Sequence, residues 1–469
     1  MNTVVASAAW TSSGAVATPS TSARLWLACL IFGLVAAIAT AFINPPLHAP
    51  DEPQHMYKAY RIGHGALWAE VQGRAAGGAV PSALAELTDR FVGNRDNWHG
   101  PREPQPLDAT WSELARPLHP ARQEFVDFTW TASYAPLPYA PQALAMAVGQ
   151  LAGLGPLGLL YAGRVANAVA SVLLVALAVA LCPVARVALL LAGLLPMAVF
   201  EYGSLAPDGM IVASALLFTA LSVRGEVRGR WIAAEIAGMA ACGLVFCSIK
   251  IVYAPLLLIG LPAALDPARR RHTLLVHGIV LAVVLGLSLA WMRSTAYVLI
   301  QWAPGTDSAA QLQGILSDPI SFAAVLARTL LHEGFFYRSM VAHLGWTQVW
   351  LPPAAYVLPA LALIAAMAAR LTDEPRLTTT SLAWKAALAV ATAMLVMTAL
   401  YLLWTPVGRD VVRGVQGRYF LPFAGLTALI LTSSVRIPRH RAAPPFAIGI
   451  VAVMLLVTEL VIVNTYDVF

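Results

Sequence analysis

Charge is scarce in this sequence: Asp, Glu, Lys and Arg make up only 12% of the 469 residues, while 59% are hydrophobic and the mean hydropathy is +0.70. No soluble globular class combines that length with so few charges, so the chain is an integral membrane protein. Cysteine is almost absent. Cys29, Cys182, Cys242 and Cys247 lie in or at the ends of apolar stretches without CxxC spacing, which excludes a disulfide framework or a cysteine zinc site. Although the net charge is +6, Lys and Arg form no stripe with interleaved aromatics, so nucleic acid is excluded as a partner. There is no internal repeat, and the Ser, Thr and Ala-rich residues 1–24 are the one biased tract, read as a disordered cytoplasmic tail.

What is abundant is apolar sequence of spanning length. Runs near 25–43, 158–181, 187–202, 209–222, 231–249, 251–265, 273–292, 351–371, 383–404, 420–435 and 446–465 predict an all-α membrane domain over 25–469 with about 11 transmembrane helices. The runs 209–222 and 251–265 are short, and 231–265 reads equally as one broken segment.

Arg186, Arg224 to Arg230, Arg269 to Arg271, Arg370 and Arg376, and Arg436 to Arg441 fall in alternate short connections, which places these connections in the cytoplasm. The stretch 137–153 would invert every later connection if it crossed. It is therefore read as re-entrant or interfacial, entered through the proline and tyrosine-rich segment Tyr134 to Pro141. Two large outer regions remain, about 44–136 and 293–350, expected to carry juxtamembrane helices and to fold together over the membrane face. They contain Trp68, Trp98, Trp111 and Trp130, and Trp302, Trp346 and Trp350, whose rings either anchor at headgroup level or stack on a sugar.

At the exit of the first run stands Pro50-Asp51-Glu52-Pro53-Gln54-His55. Two carboxylates where a helix leaves the bilayer are candidates for chemistry at the membrane surface, or else simple caps of the next helix. The same orientation brings further polar residues to outer helix ends: His55, Asp208, Lys250, Tyr253, Gln416, Arg418 and Tyr419. A carboxylate near a low-dielectric boundary is a stronger base than one in water, which suits Asp51 to remove a hydroxyl proton. Arg418 offers two parallel hydrogen bonds to a phosphate, and Lys250, one of three lysines in the chain, a point charge. Asp208 follows a proline and also reads as a helix start; Arg164 and Asn167 pair with a first-loop carboxylate or with lipid headgroups. His48, Asp51, Glu52 and His55 can be written as ligands for a divalent cation, but the spacing does not require a metal.

The segment Pro45 to His55 with Ala59 to Gly63, Tyr134 to Pro141, Pro207-Asp208, Lys250 with Tyr253, Gly345-Trp346, and Gly414-Val-Gln416-Gly417-Arg418-Tyr419-Phe420-Leu-Pro422 together resemble a bacterial family of multi-spanning proteins. It is catalogued as domain of unknown function 2142 and grouped with the GT-C glycosyltransferases. The resemblance covers nearly the whole chain. It implies a GT-C-like fold, a sugar donor on a polyprenyl phosphate, a base in the first outer loop, catalysis on the outer face and inversion at the anomeric carbon. By that analogy Asp51, with Glu52, is catalytic; Arg418, Lys250, Tyr253, Gln416 and Tyr419 bind donor phosphate; and Tyr134 and Tyr139 are further candidates. Where many relatives place an acid after Gly-Trp, this chain has Thr347-Gln348, with His332 and Glu333 as candidate substitutes.

The expectation is a glycosyltransferase of the bacterial inner membrane, with its active site facing the periplasm. It would move a sugar from a polyprenyl-phosphate donor to an envelope glycan or lipid-linked acceptor, with no required cofactor. A flippase for lipid-linked glycan and a non-catalytic envelope assembly protein are the rivals.

Overall fold

The computed structural model describes residues 21–93, 107–299, 305–332, 334–346, 348–369, 374–435, 438, 440 and 442–466. Among these, six helices are long and apolar enough to cross a membrane: residues 24–43, Pro156–Leu181, Asp208–Arg228, Pro267–Ser294, Thr379–Trp404 and Ala443–Tyr466. The Asp208–Arg228 helix is enclosed on nearly all sides, and the others present aliphatic faces outward, as a bundle solvated by lipid tails requires.

Several apolar runs are wound differently from the expectation. Residues 187–202 form two short helices, Arg186–Gly193 and Pro196–Tyr202, because Pro196 cannot continue the first. Residues 251–265 form two 3-10 segments, Ile251–Leu258 and Leu261–Leu265, each containing a proline. The runs 351–371 and 420–435 each open with a 3-10 turn before a helix of 11 residues, Leu358–Ala368 and Ala424–Ser434. Hydropathy does not distinguish these windings, since each buries the same apolar side chains.

The stretch 137–153 forms a 12-residue helix, Ala140–Leu151, after a 3-10 turn at Leu137–Tyr139. At 1.5 Å per residue that is about 18 Å, too short to cross. Leu144, Val148 and Leu151 are exposed along one side while Ala143 and Met146 are buried. The second outer region carries Ser308–Ser317 and Pro319–His332, bent by 110° at Asp318, followed by the Gly334–Ala342 helix.

The outer regions also contain strands, which the all-helical expectation did not include. Glu70–Gln72, Ala75–Pro81 and Gln123–Asp127 make an antiparallel sheet, the first two joined through Gly73 and Arg74. With the Glu52–Gly63 and Ser82–Phe91 helices it encloses a second apolar core, including Met56, Tyr57, Val80, Leu84, Phe91 and Phe128. The two outer regions do meet: Tyr297 Oη donates to the Ala69 carbonyl at 2.7 Å. Just before it, at the end of the Pro267–Ser294 helix, Trp291 stacks on Trp68 and donates to the Ser133 carbonyl at 2.8 Å.

Lys58 lies buried in this outer core, donating to the Leu67 and Ala132 carbonyls at 3.1 and 3.0 Å. Burial, with the Arg61 charge nearby, pushes its ammonium down to about 7. An unfolded lysine titrates near 10.4, so between about pH 7 and 10.4 the unfolded chain binds the extra proton and stability rises with pH, by up to about 1.4 kcal/mol per unit. Thermal unfolding in detergent across that window should show this slope, and Lys58→Met should flatten it. An unchanged slope in the variant would remove Lys58 as its source.

Candidate functional site

The turn after the first helix is fixed by one buried ion pair. Arg164, on the Pro156–Leu181 helix, donates through Nε and Nη2 to the two oxygens of Glu52 at 2.8 and 2.6 Å, and both side chains are 0% exposed. Its remaining N–H groups reach the carbonyls of Ala41, in the last turn of the first helix, and of Asn44 and Pro45 just after it, at 2.9, 2.7 and 3.0 Å. Glu52 also accepts from the backbone N–H groups of Ala49 and Leu205 at 3.3 and 3.1 Å. Its lone pairs are thereby occupied, and Arg164 meets the first-loop carboxylate rather than lipid. Glu52 is removed from the open site by this pairing.

Asp51 is left facing a different way. It occupies the N-cap position of the Glu52–Gly63 helix with φ 58° and ψ 12°, yet its side chain makes no capping hydrogen bond. A left-handed residue with a side chain costs roughly 1–2 kcal/mol, so the surrounding turn imposes this conformation. Its carboxylate instead lies 3.9 Å from Arg418 Nη2. The capping explanation for Asp51 is therefore excluded by geometry.

Arg418 comes from the 3-10 turn Gly417–Phe423. The glycines before it are required: Gly414 has φ 75°, and a Cβ at Gly417 would collide with the backbone at Met340 on the Gly334–Ala342 helix. Gly417 N–H donates to Ser339 Oγ at 2.8 Å, which seats the turn. The Arg418 guanidinium then stands 3.5 Å from Glu201 as well as 3.9 Å from Asp51. Among the described residues its Nε has no hydrogen-bond partner, nor has either oxygen of Glu201. Both contacts are longer than a good charge-assisted hydrogen bond, so the guanidinium retains unused donors.

A second ion pair completes the cluster. Lys250, between the Ala233–Cys247 helix and the Ile251–Leu258 turn, bonds to Asp208 at 2.5 Å. Asp208 thus both begins the Asp208–Arg228 helix and holds Lys250. Burial opposes the Lys250 charge, but Asp208 together with the surrounding Tyr253, Tyr134 and Tyr419 outweighs it and holds the ammonium above its ordinary range. The Tyr419 ring lies against both cations, 4.8 Å from Lys250 and 5.5 Å from Arg418. Tyr253 Oη donates to the Tyr419 carbonyl at 2.9 Å and so positions that ring. Gln416 is half-buried just before the 3-10 turn, its side chain making no hydrogen bond to another described residue.

On the near side His55 Nδ1 and the Tyr139 hydroxyl share a 2.7 Å hydrogen bond, and the Tyr134 ring lies 6.3 Å from the imidazole. Burial pushes His55 down to about 3, so the imidazole is neutral, and burial pushes Tyr134 up to about 12, so its hydroxyl remains a donor. Enclosure also raises the Asp51 carboxyl above its ordinary range, against the pull of Arg418. Asp51 remains the most open of the anions around Arg418, with a side chain 27% exposed against 1% for Glu201.

The metal alternative does not fit this arrangement. His48 Nδ1 bonds to the Pro46 carbonyl at 2.9 Å with its ring against Tyr466, and Glu52 is saturated by Arg164. The four side chains His48, Asp51, Glu52 and His55 do not converge, and among the described residues no group of three His, Cys, Asp or Glu is placed to hold a metal. Glu333 lies outside the described residues, as do the side chain of His332, Trp98 and Trp302.

Sequence reasoning missed Glu201. A signal existed, because it is the only acidic residue between Asp127 and Asp208 and sits in an apolar tract. It also left the partner of Arg164 open. The cluster and the Arg-bearing connections occupy opposite ends of the Asp208–Arg228 helix, whose 21 residues separate them by about 30 Å.

No curated protein and no solved structure matches this chain. A family model, described as predicted membrane protein DUF2142, matches residues 24–427 and so takes in Asp51, Glu201, Asp208, Lys250 and Arg418; the chain belongs to that family.

Proposed function

We propose that this protein is a GT-C-like glycosyltransferase of about 11 crossings in a bacterial inner membrane. It transfers a sugar from a polyprenyl-phosphate donor to an envelope glycan or lipid-linked acceptor at the periplasmic face. The observation that carries the reading is Arg418: a buried guanidinium in loose contact with two carboxylates, with its Nε unpaired, beside the accessible Asp51. Such a fork suits a phosphate diester, and Asp51 suits an incoming hydroxyl.

In the reaction, Asp51 accepts the proton of the acceptor hydroxyl as its oxygen attacks the anomeric carbon. The bond from that carbon to the phosphate oxygen breaks, and the electron pair leaves with the prenyl phosphate, whose added charge Arg418 stabilises. Lys250 holds Asp208 and adds positive potential beside the Tyr419 ring. Glu52 acts through position, by fixing the turn that aims Asp51. One attacking base and a leaving phosphate require no second, protonated carboxyl.

Purified protein in proteoliposomes, supplied with a labelled phosphoprenyl hexose and an extract of envelope lipids and glycans, provides the test by mass spectrometry. The expected product is an acceptor one hexosyl residue heavier. Donor that crosses the bilayer with its mass unchanged would assign transport instead, and envelope glycans identical with and without the protein would favour an assembly role.

A further inference from the structure

Arg418 serves two anions in this arrangement. In the structure it is the compensating charge for Glu201, whose side chain is 1% exposed and whose two oxygens have no hydrogen-bond donor among the described residues. Glu201 cannot withdraw to water: its backbone carbonyl accepts from Asn167 Nδ2 at 3.1 Å and Ser204 Oγ at 3.0 Å, which fixes the last turn of Pro196–Tyr202. A phosphate that engages the guanidinium takes over the positive charge that balances Glu201. A carboxylate so stranded, without a donor or a cation of its own, is far less favourable than the neutral acid.

We propose that anion binding at Arg418 is proton-linked through Glu201, which takes up one proton from solvent as the phosphate displaces it from the guanidinium. This rests on the phosphate reading of the site above and adds to it a regulating residue.

The other charges around Glu201 do not take this role. Asp208 remains bonded to Lys250 when Arg418 is occupied, and Asp51 has access to solvent. His55 stays neutral in its bond with Tyr139. The Ala443–Tyr466 helix packed on the same turn carries Glu459, which accepts from Thr40 at 2.7 Å, and Tyr466; the Gly334–Ala342 helix carries Arg338, and the short strand His343–Leu344 that follows it carries His343. On the Pro156–Leu181 helix Arg164 is committed to Glu52. Glu201 is the group around Arg418 that is buried and has Arg418 as its one ion-pair partner among the described residues, with Lys250 acting on it only as a lesser, more distant charge.

The test uses citronellyl phosphoryl glucose, a diester whose single negative charge is constant between about pH 5.5 and 8.5, bound to the full-length protein in detergent. Calorimetry in two buffers of different ionisation enthalpy should register uptake of about one proton per ligand on the alkaline side, where affinity should fall by about tenfold per pH unit. Glu201→Gln should bind at least as tightly, with a flat pH profile. No proton uptake by the wild type, or a Glu201→Gln variant with the wild-type profile, would overturn the proton link while leaving the phosphate site standing. An Arg418→Ala variant that binds the diester like the wild type would instead overturn the phosphate site itself. The calorimetric measurement needs no variant and decides the matter if Glu201→Gln fails to fold.

Discussion

Replacing Asp51 by Asn is expected to slow sugar transfer by about 10²–10⁴-fold, the usual worth of a general base, with no change in the thermal midpoint in detergent. Asn is the appropriate replacement because it tolerates the left-handed backbone that Asp51 adopts at φ 58°. Asp51→Ala would add a backbone penalty of about 1 kcal/mol to the lost base, whereas Asp51→Gly would relax the turn and leave stability equal or higher. Activity and stability should therefore part company across the three variants. Since the side chain makes no capping bond, no stability is expected to be lost with it. Full transfer by Asp51→Asn would exclude the base role, and unfolding of that variant would assign the residue to structure.

The second large effect concerns the pair beneath it. Arg164→Ala should destabilise the protein by about 3–5 kcal/mol, because it leaves Glu52 as a buried charge without its partner and removes the guanidinium bonds to the Ala41, Asn44 and Pro45 carbonyls. Glu52→Gln, which keeps the shape and one acceptor, should cost less. The double variant Glu52→Leu with Arg164→Met should be more stable than Arg164→Ala alone, since no unpaired charge remains. Thermal unfolding followed by tryptophan fluorescence measures all three. If Arg164→Ala melts like the wild type, the ion pair does not hold the turn, and the conformation of Asp51 needs another cause.

These expectations separate two neighbouring carboxylates that look alike in sequence. Asp51 and Glu52 both leave the first helix, but successive residues at a helix start point in different directions, and only Glu52 points toward Arg164. The partners in that pair are 112 residues apart, a separation that no local pattern encodes. Glu201 escaped for a related reason: inside an apolar run a lone acid signals importance, but its proximity to Arg418 depends on how the Pro196 break turns the last short helix. Lys250 and Arg418, by contrast, were legible. Each interrupts an apolar stretch near a predicted outer end, and each arrives in the cluster.

Composition and apolar spacing by themselves determined that the chain is a multi-spanning helical membrane protein with polar residues gathered toward one end of the bundle. The physical reason is that hydrocarbon admits few charges, so their positions along the chain are informative. What only the tertiary structure decided is which of these residues are committed to one another. Arg164 is satisfied by Glu52, Lys250 by Asp208, and Arg418 by neither of its neighbours fully, because hydrogen-bond geometry between distant segments is set by packing and not by sequence proximity.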